Sequence, residues 1–422
     1  MGWNSYDCYG GDVNEQEMKA NADYQAAHLA RFGWKYVVVD YYWYFSHPRT
    51  TEDQDKWEVT MDEHGRLLPA VNRFPTAANG QGFKPLADYV HSRGLKFGIH
   101  IMRGIPRAAV EKNLPILGTM AHARDVADPG NDCSWSKAMH GVDVSKPAGQ
   151  AYYDSIVALY AQWGVDFIKA DDMSRADPPA AREKYHGAEI AALSRAIRKS
   201  GRPIPLSLSP GETPLEDAAD VAKYAQMWRI SDDFWDDWKM LKKQFLLCRA
   251  WAPYIGPGHW PDADMLPLGR LRIRGFDEPA RQTRLTPAEQ RTHLTLWVIF
   301  RSPLMMGGDL PSLDSATLAL LTNPDVLAVD QESLHNRELF TRGDREAWVA
   351  DAPGSHDKYL PLFNLNDRDA AAVTVSWREL GLAGKCAVRN LWEKKDLGTY
   401  DNSFAPQIEP HGAALYRMTP AR

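Results

Sequence analysis

The chain has 422 residues, and its 49 Lys and Arg against 55 Asp and Glu give a net charge of −6, which argues against a dedicated nucleic-acid binder. Hydrophobic residues make up 44% and charged residues 25% of the chain, as in ordinary folded proteins. No apolar run reaches the roughly 18 residues of a membrane-spanning helix, and the four Cys are too scattered for a disulfide scaffold or a zinc cluster. We therefore expect a folded protein with neither nucleic acid nor membrane as a partner.

A helix, a glycine and a short apolar strand follow one another four times in the first half of the chain. Asn14 and Glu17 form a capping-box pattern at the start of the first helix, and Gly33 stands where a left-handed helix end is expected. The helices are predicted over 14–31, 86–93, 152–163 and 183–200, and the strands over 36–39, 97–100, 167–171 and 204–209. Such alternation predicts a parallel sheet flanked by helices.

The pattern continues less regularly and then changes. Helices are predicted over 236–251 and 287–300, and further strands over 1–6, 226–230, 259–264 and 302–306. Eight strands with intervening helices predict a (β/α)8 TIM barrel of about 300 residues. After residue 325 the pattern shows short strands without helices, at 347–350, 360–363, 373–377, 387–392 and 413–416. We therefore predict a barrel domain over 1–324 and a C-terminal antiparallel β-sandwich over 325–422.

Charged and polar residues stand at the predicted C-terminal ends of the barrel strands, where such barrels carry their active sites. These residues are Asp40, Tyr41, His100, Lys169, Asp171, Ser209, Arg229, Asp233 and Asp264. Two carboxylates that converge from different strands are the arrangement that glycoside hydrolysis needs.

Lys169 and Asp171 lie two residues apart on one strand and therefore face the same side. A neighbouring ammonium favours an ionised Asp171, as a nucleophile requires, although a structural salt bridge would show the same pattern. Asp232 and Asp233 are both candidates for the general acid, and the local pattern does not choose between them. For Asp236 and Asp237 we prefer a structural interpretation, because carboxylates stabilise a helix N-terminus.

Two other chemistries deserve comparison with this interpretation. His259, Asp262 and Asp264 could bind a metal, but no second His follows at ligand spacing. Lys169 could form a Schiff base, as in barrel aldolases, but that requires a desolvated amine, and the adjacent carboxylates argue against it. No glycine-rich phosphate-binding loop is present. We expect neither a metal nor a cofactor.

Six segments in order along the chain resemble glycoside hydrolase family 27, the family of α-galactosidases and α-N-acetylgalactosaminidases. They are residues 1–6, 36–40, 163–171, 228–233, 262–266 and 301–305. The resemblance implies a retaining mechanism with Asp171 as the nucleophile and Asp233, four residues after Arg229, as the acid/base. It also implies that the sugar is bound by a set of side chains around them: Tyr6, Asp40, Tyr41, Trp43, His100, Lys169, Ser209, Arg229 and Asp264.

The sequence departs from the family pattern where the sugar should bind. Tyr41 stands where α-galactosidases usually carry a second Asp that holds hydroxyls near C4 and C6, and His100 stands where Tyr is common. Tyr42 replaces a Cys, so Cys8 lacks the disulfide partner usual in the family. The resemblance therefore implies an exo-acting α-galactosidase, with a β-L-arabinopyranosidase or an isomaltose-releasing dextranase as alternatives of the same mechanism.

A sugar-binding barrel without hydrolysis is the alternative from another class, and it would need one of the two carboxylates to be missing. The expected partner is an oligosaccharide or polysaccharide, and the oligomeric state stays open. Because family members carry residues before the first strand, we expect that a leader preceded Met1. This predicts a secreted or periplasmic protein, with the cytoplasm as the alternative.

Overall fold

The structure is a computed structural model, which describes residues 1–48, 58–133, 135–174, 185–209 and 211–421. The chain divides into two compact units. The first consists of Met1–Asp233, Gly269–Gln282 and Met305–Leu313, and the second consists of Phe234–Leu268, Thr283–Leu304 and Asp314–Arg422. None of the described helices is both long and apolar enough to cross a lipid bilayer.

A curved parallel sheet of short, buried strands forms the centre of the first unit. The strands follow one another across this sheet in the order Met227–Arg229, Leu206–Leu208, Phe167–Asp171, Lys96–Met102, Tyr36–Val39, Gly2–Asn4 and Met305–Met306. In chain order the first strand of this sheet, Gly2–Asn4, and its last, Met305–Met306, are neighbours, with Gly2 opposite Met305 and Trp3 opposite Met306. The strands are rich in apolar residues because a parallel sheet of this kind is covered on both faces.

Helices alternate with these strands, as the sequence predicts. Those of the first unit are Tyr6–Tyr9, Glu15–Tyr24, Lys84–Ser92, Arg107–Glu111, Ala123–Val126, Pro147–Trp163, Gly187–Ser200 and Ala218–Tyr224. The capping box of Asn14 and Glu17 is present, and Gly33 adopts the left-handed conformation expected of it, with φ of 99°. A π-helical turn at Gln25–Leu29 ends the predicted first helix early. The helix predicted from residue 183 begins at Gly187, and residues 183 and 184 lie outside the described part of the chain.

The second unit contains the helices Trp238–Trp251, Pro287–Phe300, Ser315–Leu321 and Pro324–Glu332, together with the seventh predicted barrel strand, Trp260–Asp262. The helix predicted to start at residue 236 starts two residues later, because the Asp237 carboxylate accepts bonds from Lys239 N and Met240 N and so serves as its N-cap. The structural interpretation of Asp237 is thereby confirmed. Asp236 precedes the N-cap, and its Oδ2 accepts a bond from Arg284 N at 2.6 Å.

The C-terminal part of the second unit is antiparallel. Its main sheet has six strands, in the order Leu334–Arg342, Arg345–Asp351, Lys358–Asn364, Ala413–Pro420, Lys385–Asn390 and Lys395–Asp401. Two short strand pairs accompany it: Ala371–Ala372 with Gln407–Ile408, and Val375–Ser376 with Ser403–Phe404. Trp377, Leu360, Val388 and Met418 contribute to its buried core.

The predicted fold class is confirmed: a (β/α)8 barrel is followed by an antiparallel β-sandwich. Two details of the prediction after residue 325 are wrong. The helix Pro324–Glu332 extends past that point, and the predicted strand 373–377 ends at Ser376, where Ser376 and Glu379 form a capping box that starts the short helix Trp377–Leu380. The domain boundary between residues 324 and 325 stays a prediction.

Candidate active site

An ion pair whose carboxylate is buried joins two strands of the parallel sheet that flank the strand Lys96–Met102. Asp40 directly follows the strand Tyr36–Val39, and its Oδ2 lies 3.0 Å from Lys169 Nζ on the strand Phe167–Asp171. Asn4 Nδ2 donates to the same oxygen at 2.6 Å, and Tyr41 N donates to Oδ1 at 2.8 Å. Burial raises the pKa of Asp40, but the charges of Lys169 and His100 and the bond from Asn4 outweigh it and lower the pKa to about 2. Asp40 is therefore an anion throughout the working range of pH.

Asp171, the predicted nucleophile, is held by one donor on each carboxylate oxygen. His100 Nε2 lies 2.7 Å from Oδ2, and the backbone amide of Asp172 donates to Oδ1 at 2.9 Å. His100 and Asp171 meet because their parallel strands are paired in register, with Met102 opposite Asp171. Since a carboxylate only accepts hydrogen bonds, His100 carries its proton on Nε2. These two contacts leave the carboxylate plane with a defined orientation.

Arg229 contacts two other residues of the predicted site, Ser209 and Asp233. It ends the strand Met227–Arg229, and its guanidinium lies 3.4 Å from Ser209 Oγ and 3.4 Å from Asp233 Oδ1. The Arg229 side chain is buried, whereas 51% of the Asp233 side chain is exposed. Asp232 is less exposed and accepts a bond from Asp233 N at 2.9 Å. Asp232 and Asp233, which the local sequence pattern did not distinguish, therefore differ in the exposure of their side chains.

Two tyrosines line this region beside the charged groups. Lys169 Nζ lies 5.9 Å from the centre of the Tyr6 ring, and the Tyr6 and Tyr41 rings meet edge to face at 6.2 Å. Tyr41 also meets the His100 ring edge to face at 5.2 Å. Burial, and then the nearby carboxylates Asp233 and Asp40, raises the pKa of Tyr6, and burial raises that of Tyr41. Both side chains are therefore neutral phenols at the pH of any ordinary assay.

Neither Trp43 nor His100 has exposed side-chain surface, and their predicted contacts with the sugar stay predictions. Trp43 packs edge to face against Phe83 at 5.1 Å and Trp163 at 6.3 Å, and its Nε1 donates to the carbonyl oxygen of His100 at 2.7 Å. Trp43 is therefore a packing residue that supports the strand carrying His100. His100 itself contacts Asp171, so its influence on a substrate passes through that carboxylate.

Asp264 belongs to the second unit, where both of its carboxylate oxygens accept backbone bonds. Phe234 N donates to Oδ2 and Met265 N donates to Oδ1, each at 2.7 Å. Asp264 adopts a left-handed backbone with φ of 86° and is buried. Its predicted contact with the sugar stays a prediction.

Three residues that sequence reasoning did not select form a second buried charge cluster next to Asp171. Arg103, at the end of the strand Lys96–Met102, contacts Asp172 at 2.7 Å and Glu189 at 2.7 Å. The only sequence signals were the doubled Asp at 171 and 172 and a cation directly after a barrel strand. Glu189 lies inside the helix Gly187–Ser200, where nothing in the sequence distinguishes it from a surface residue.

Two family models together match most of the chain. Residues 1–110 and 136–332 match the family model of α-galactosidase A, and residues 342–418 match that of the α-galactosidase C-terminal β-sandwich domain. The chain belongs to glycoside hydrolase family 27. It is a glycoside hydrolase of the α-galactosidase type, and carbohydrate is its substrate. As in the sequence-based interpretation, Cys8 is a buried free thiol.

Relatives of this family 27 enzyme carry two different activities in their names. The α-galactosidase of Cyamopsis tetragonoloba is 29% identical over 427 aligned residues, covering 100% of this chain and 86% of the relative. Alpha-galactosidase A of Cellvibrio japonicus is 26% identical, covering 100% and 91%. The crystal structure of a family 27 β-L-arabinopyranosidase of Geobacillus stearothermophilus is 48% identical, with a TM-score of 0.96, covering 100% of this chain and 96% of that one.

The buried Asp40–Lys169 pair predicts a defined pH dependence of stability. A carboxyl whose pKa falls from 3.8 to about 2 on folding contributes about 2 kcal/mol to the free energy of unfolding. Because the folded pKa is the lower one, this contribution is complete above about pH 5 and declines as pH falls toward 2. Asp40→Asn should therefore lower the stability most near pH 7, and about half of the difference should remain at pH 3.

Denaturant unfolding of both proteins at pH 7 and pH 3 measures this difference. Asp88→Asn serves as the control, because Asp88 forms an exposed ion pair with Lys84 and should change stability by less than about 1 kcal/mol at either pH. An Asp40→Asn difference that grows on acidification would contradict the prediction.

Proposed function

We propose that the protein is a retaining exo-glycosidase that hydrolyses terminal pyranosides of galacto configuration, and that it prefers β-L-arabinopyranosides to α-D-galactosides. β-L-Arabinopyranose has the ring configuration of α-D-galactose but lacks C6. The observation that supports the retaining mechanism is the contrast between two carboxylates at one end of the barrel. Asp171 is buried and accepts hydrogen bonds from His100 and from the Asp172 amide, whereas the Asp233 side chain is half-exposed and lies 3.4 Å from Arg229.

This contrast matches the two roles in a double displacement. Asp171, whose oxygens are oriented by His100 and the Asp172 amide, attacks the anomeric carbon and forms the glycosyl-enzyme. Asp233 protonates the leaving oxygen, and its exposure leaves room for a departing group of variable size and for the water that replaces it. Asp233 then takes a proton from that water, which releases the sugar with its original anomeric configuration.

Asp40 and Lys169 are suited to the recognition of sugar hydroxyls, because one accepts and the other donates hydrogen bonds. The same pair argues against a lysine-dependent aldolase. Lys169 Nζ lies 3.0 Å from an Asp40 carboxylate that is ionised at working pH, and an ammonium so paired is not a nucleophile. A sugar-binding barrel without hydrolysis would lack one of the two carboxylates, and this chain carries both Asp171 and Asp233.

Tyr41 supports the preference for a pentoside. It follows Asp40 at the position where α-galactosidases usually carry a second carboxylate for the hydroxyl at C6. A neutral phenol wedged between Tyr6 and His100 offers bulk in place of that acceptor. Without this carboxylate the site makes no favourable contact with the hydroxyl at C6, and the bulkier Tyr41 ring leaves less space for C6. The similarity to a β-L-arabinopyranosidase over the full chain supports the same choice.

The catalytic assignment predicts two different defects. Asp171→Asn should lower kcat/KM by more than about 10³-fold for every substrate, because no nucleophile remains. Asp233→Asn should lower it by about 10²–10⁴-fold for nitrophenyl glycosides but much less for dinitrophenyl glycosides, whose leaving group departs without an acid. Asp232→Asn is the matched control and should retain activity. Substantial activity in Asp171→Asn, or an equal loss in Asp232→Asn and Asp233→Asn, would exclude the assignment.

The preference between the two sugars is measured with nitrophenyl β-L-arabinopyranoside and nitrophenyl α-D-galactopyranoside. The unmodified enzyme should favour the pentoside by about tenfold or more in kcat/KM. Tyr41→Asp should move this ratio toward the galactoside, and Tyr44→Phe, a buried tyrosine nearby in sequence, should leave it unchanged. The proposed preference is refuted by a preference for the galactoside in the unmodified enzyme, or by a ratio that Tyr41→Asp does not move.

A further inference from the structure

The residue after Asp171 has an unusual backbone. Asp172 adopts φ of 61°, in the left-handed region that L-residues with a Cβ seldom occupy. In this conformation its amide donates to Asp171 Oδ1 at 2.9 Å. The opposite oxygen, Oδ2, accepts from His100 Nε2 at 2.7 Å. A carboxylate with a donor on each oxygen cannot rotate about its Cβ–Cγ bond without losing both.

Arg103 holds the backbone of Asp172 in this conformation. Its Nε donates to the Asp172 carbonyl oxygen and to Oδ2, both at 2.9 Å, and a terminal guanidinium nitrogen lies 2.7 Å from the same carboxylate oxygen. The backbone amide of Arg103 also donates to the Asp171 carbonyl oxygen at 3.0 Å. Arg103 therefore contacts the carbonyl oxygen of the peptide group whose amide reaches the Asp171 carboxylate, and also the carbonyl oxygen of the next peptide group.

The position of Arg103 is itself fixed from the side away from Asp172. Its Nη1 lies 2.7 Å from Glu189 Oε1, and its Nη2 donates to the carbonyl oxygen of Asn131 at 2.9 Å. Glu189 Oε2 accepts in turn from the Tyr153 hydroxyl at 2.5 Å. The side chains of Arg103, Asp172 and Glu189 expose 5% or less of their surface. The arginine thus has a second counter-ion that does not depend on Asp172.

We propose that Asp172, held by Arg103, is a positioning residue that orients the carboxylate of Asp171 through its left-handed backbone amide. This inference rests on the proposed function, in which Asp171 attacks the anomeric carbon. Attack along a lone pair of Asp171 requires a fixed carboxylate plane, and an error in its orientation lowers the rate of the chemical step while leaving the binding of the sugar intact.

Two substitutions separate the backbone role from a merely structural ion pair. Asp172→Gly and Asp172→Ala both remove the carboxylate and leave Arg103 paired with Glu189. Glycine adopts positive φ without steric cost, whereas the Cβ of alanine makes positive φ unfavourable. If the amide position matters, Asp172→Ala should lower kcat by about tenfold or more, with KM within about threefold of the unmodified enzyme, and Asp172→Gly should recover most of kcat. If only the ion pair matters, the two variants should lose kcat equally.

The measurement is kcat and KM for the better nitrophenyl glycoside, together with the thermal unfolding of each full-length variant. Arg103→Lys provides a second route should Asp172→Ala not fold. It keeps the positive charge but loses the Nε donor to the Asp172 carbonyl oxygen, and should lower kcat with little change in KM. Arg107→Lys is its matched control, since Arg107 makes a longer, 3.4 Å contact with Asp132, and it should leave kcat unchanged.

The outcomes distinguish this inference from the proposal on which it rests. Equal kcat in Asp172→Gly and Asp172→Ala, or an effect of Arg103→Lys on KM in place of kcat, would overturn the positioning role. The loss of activity in Asp171→Asn would still support the nucleophile in that case. Activity that survives in Asp171→Asn would remove the basis of both.

Discussion

Parallel pairing of short, fully buried strands is the constraint on which the catalytic unit depends. In such a sheet every strand ends at the same edge, so polar residues that follow separate strands are brought together whatever their distance in sequence. The register of the strands then decides which of them meet: His100 lies opposite Lys169, and Met102 lies opposite Asp171. The contact between the His100 ring and the Asp171 carboxylate is a direct consequence of this pairing.

The same constraint places several charges where water is scarce, and each of those named here has a nearby partner of opposite charge, although burial still raises the pKa of Asp172 to about 7. Asp40 faces Lys169 and the Asn4 amide, and Arg103 lies between Asp172 and Glu189. Buried charges without such partners would shift toward their neutral forms or destabilise the fold. In the proposed mechanism the ion pairs have a further effect, because they would orient the groups that act on the sugar. Stability and preorganisation of the site therefore depend on the same contacts.

Catalytic chemistry and sugar selection are separated among neighbouring residues. In the proposed mechanism Asp171 and Asp233 are the two carboxylates of a retaining glycosidase. Their different exposure follows from their positions, one at the end of a strand and one in the loop after a strand. Tyr41 occupies a loop position directly after a strand, where a change of residue would alter the proposed sugar-binding end without disturbing the sheet. A family with one mechanism can diverge in substrate at such positions.

The sequence by itself determined the fold class, the order of the barrel elements and the likeness to family 27, because helix caps, glycines and apolar strands are local signals. It also placed Asp171 and Lys169 on one face of a strand, since the two-residue period of a strand requires it. Only the tertiary structure decided that Asp233 lies beside Arg229 with half of its side chain exposed, and that Trp43 packs in the core. The cluster of Arg103, Asp172 and Glu189 was likewise beyond the sequence, because its members meet across 86 residues of chain and no local pattern encodes such a contact.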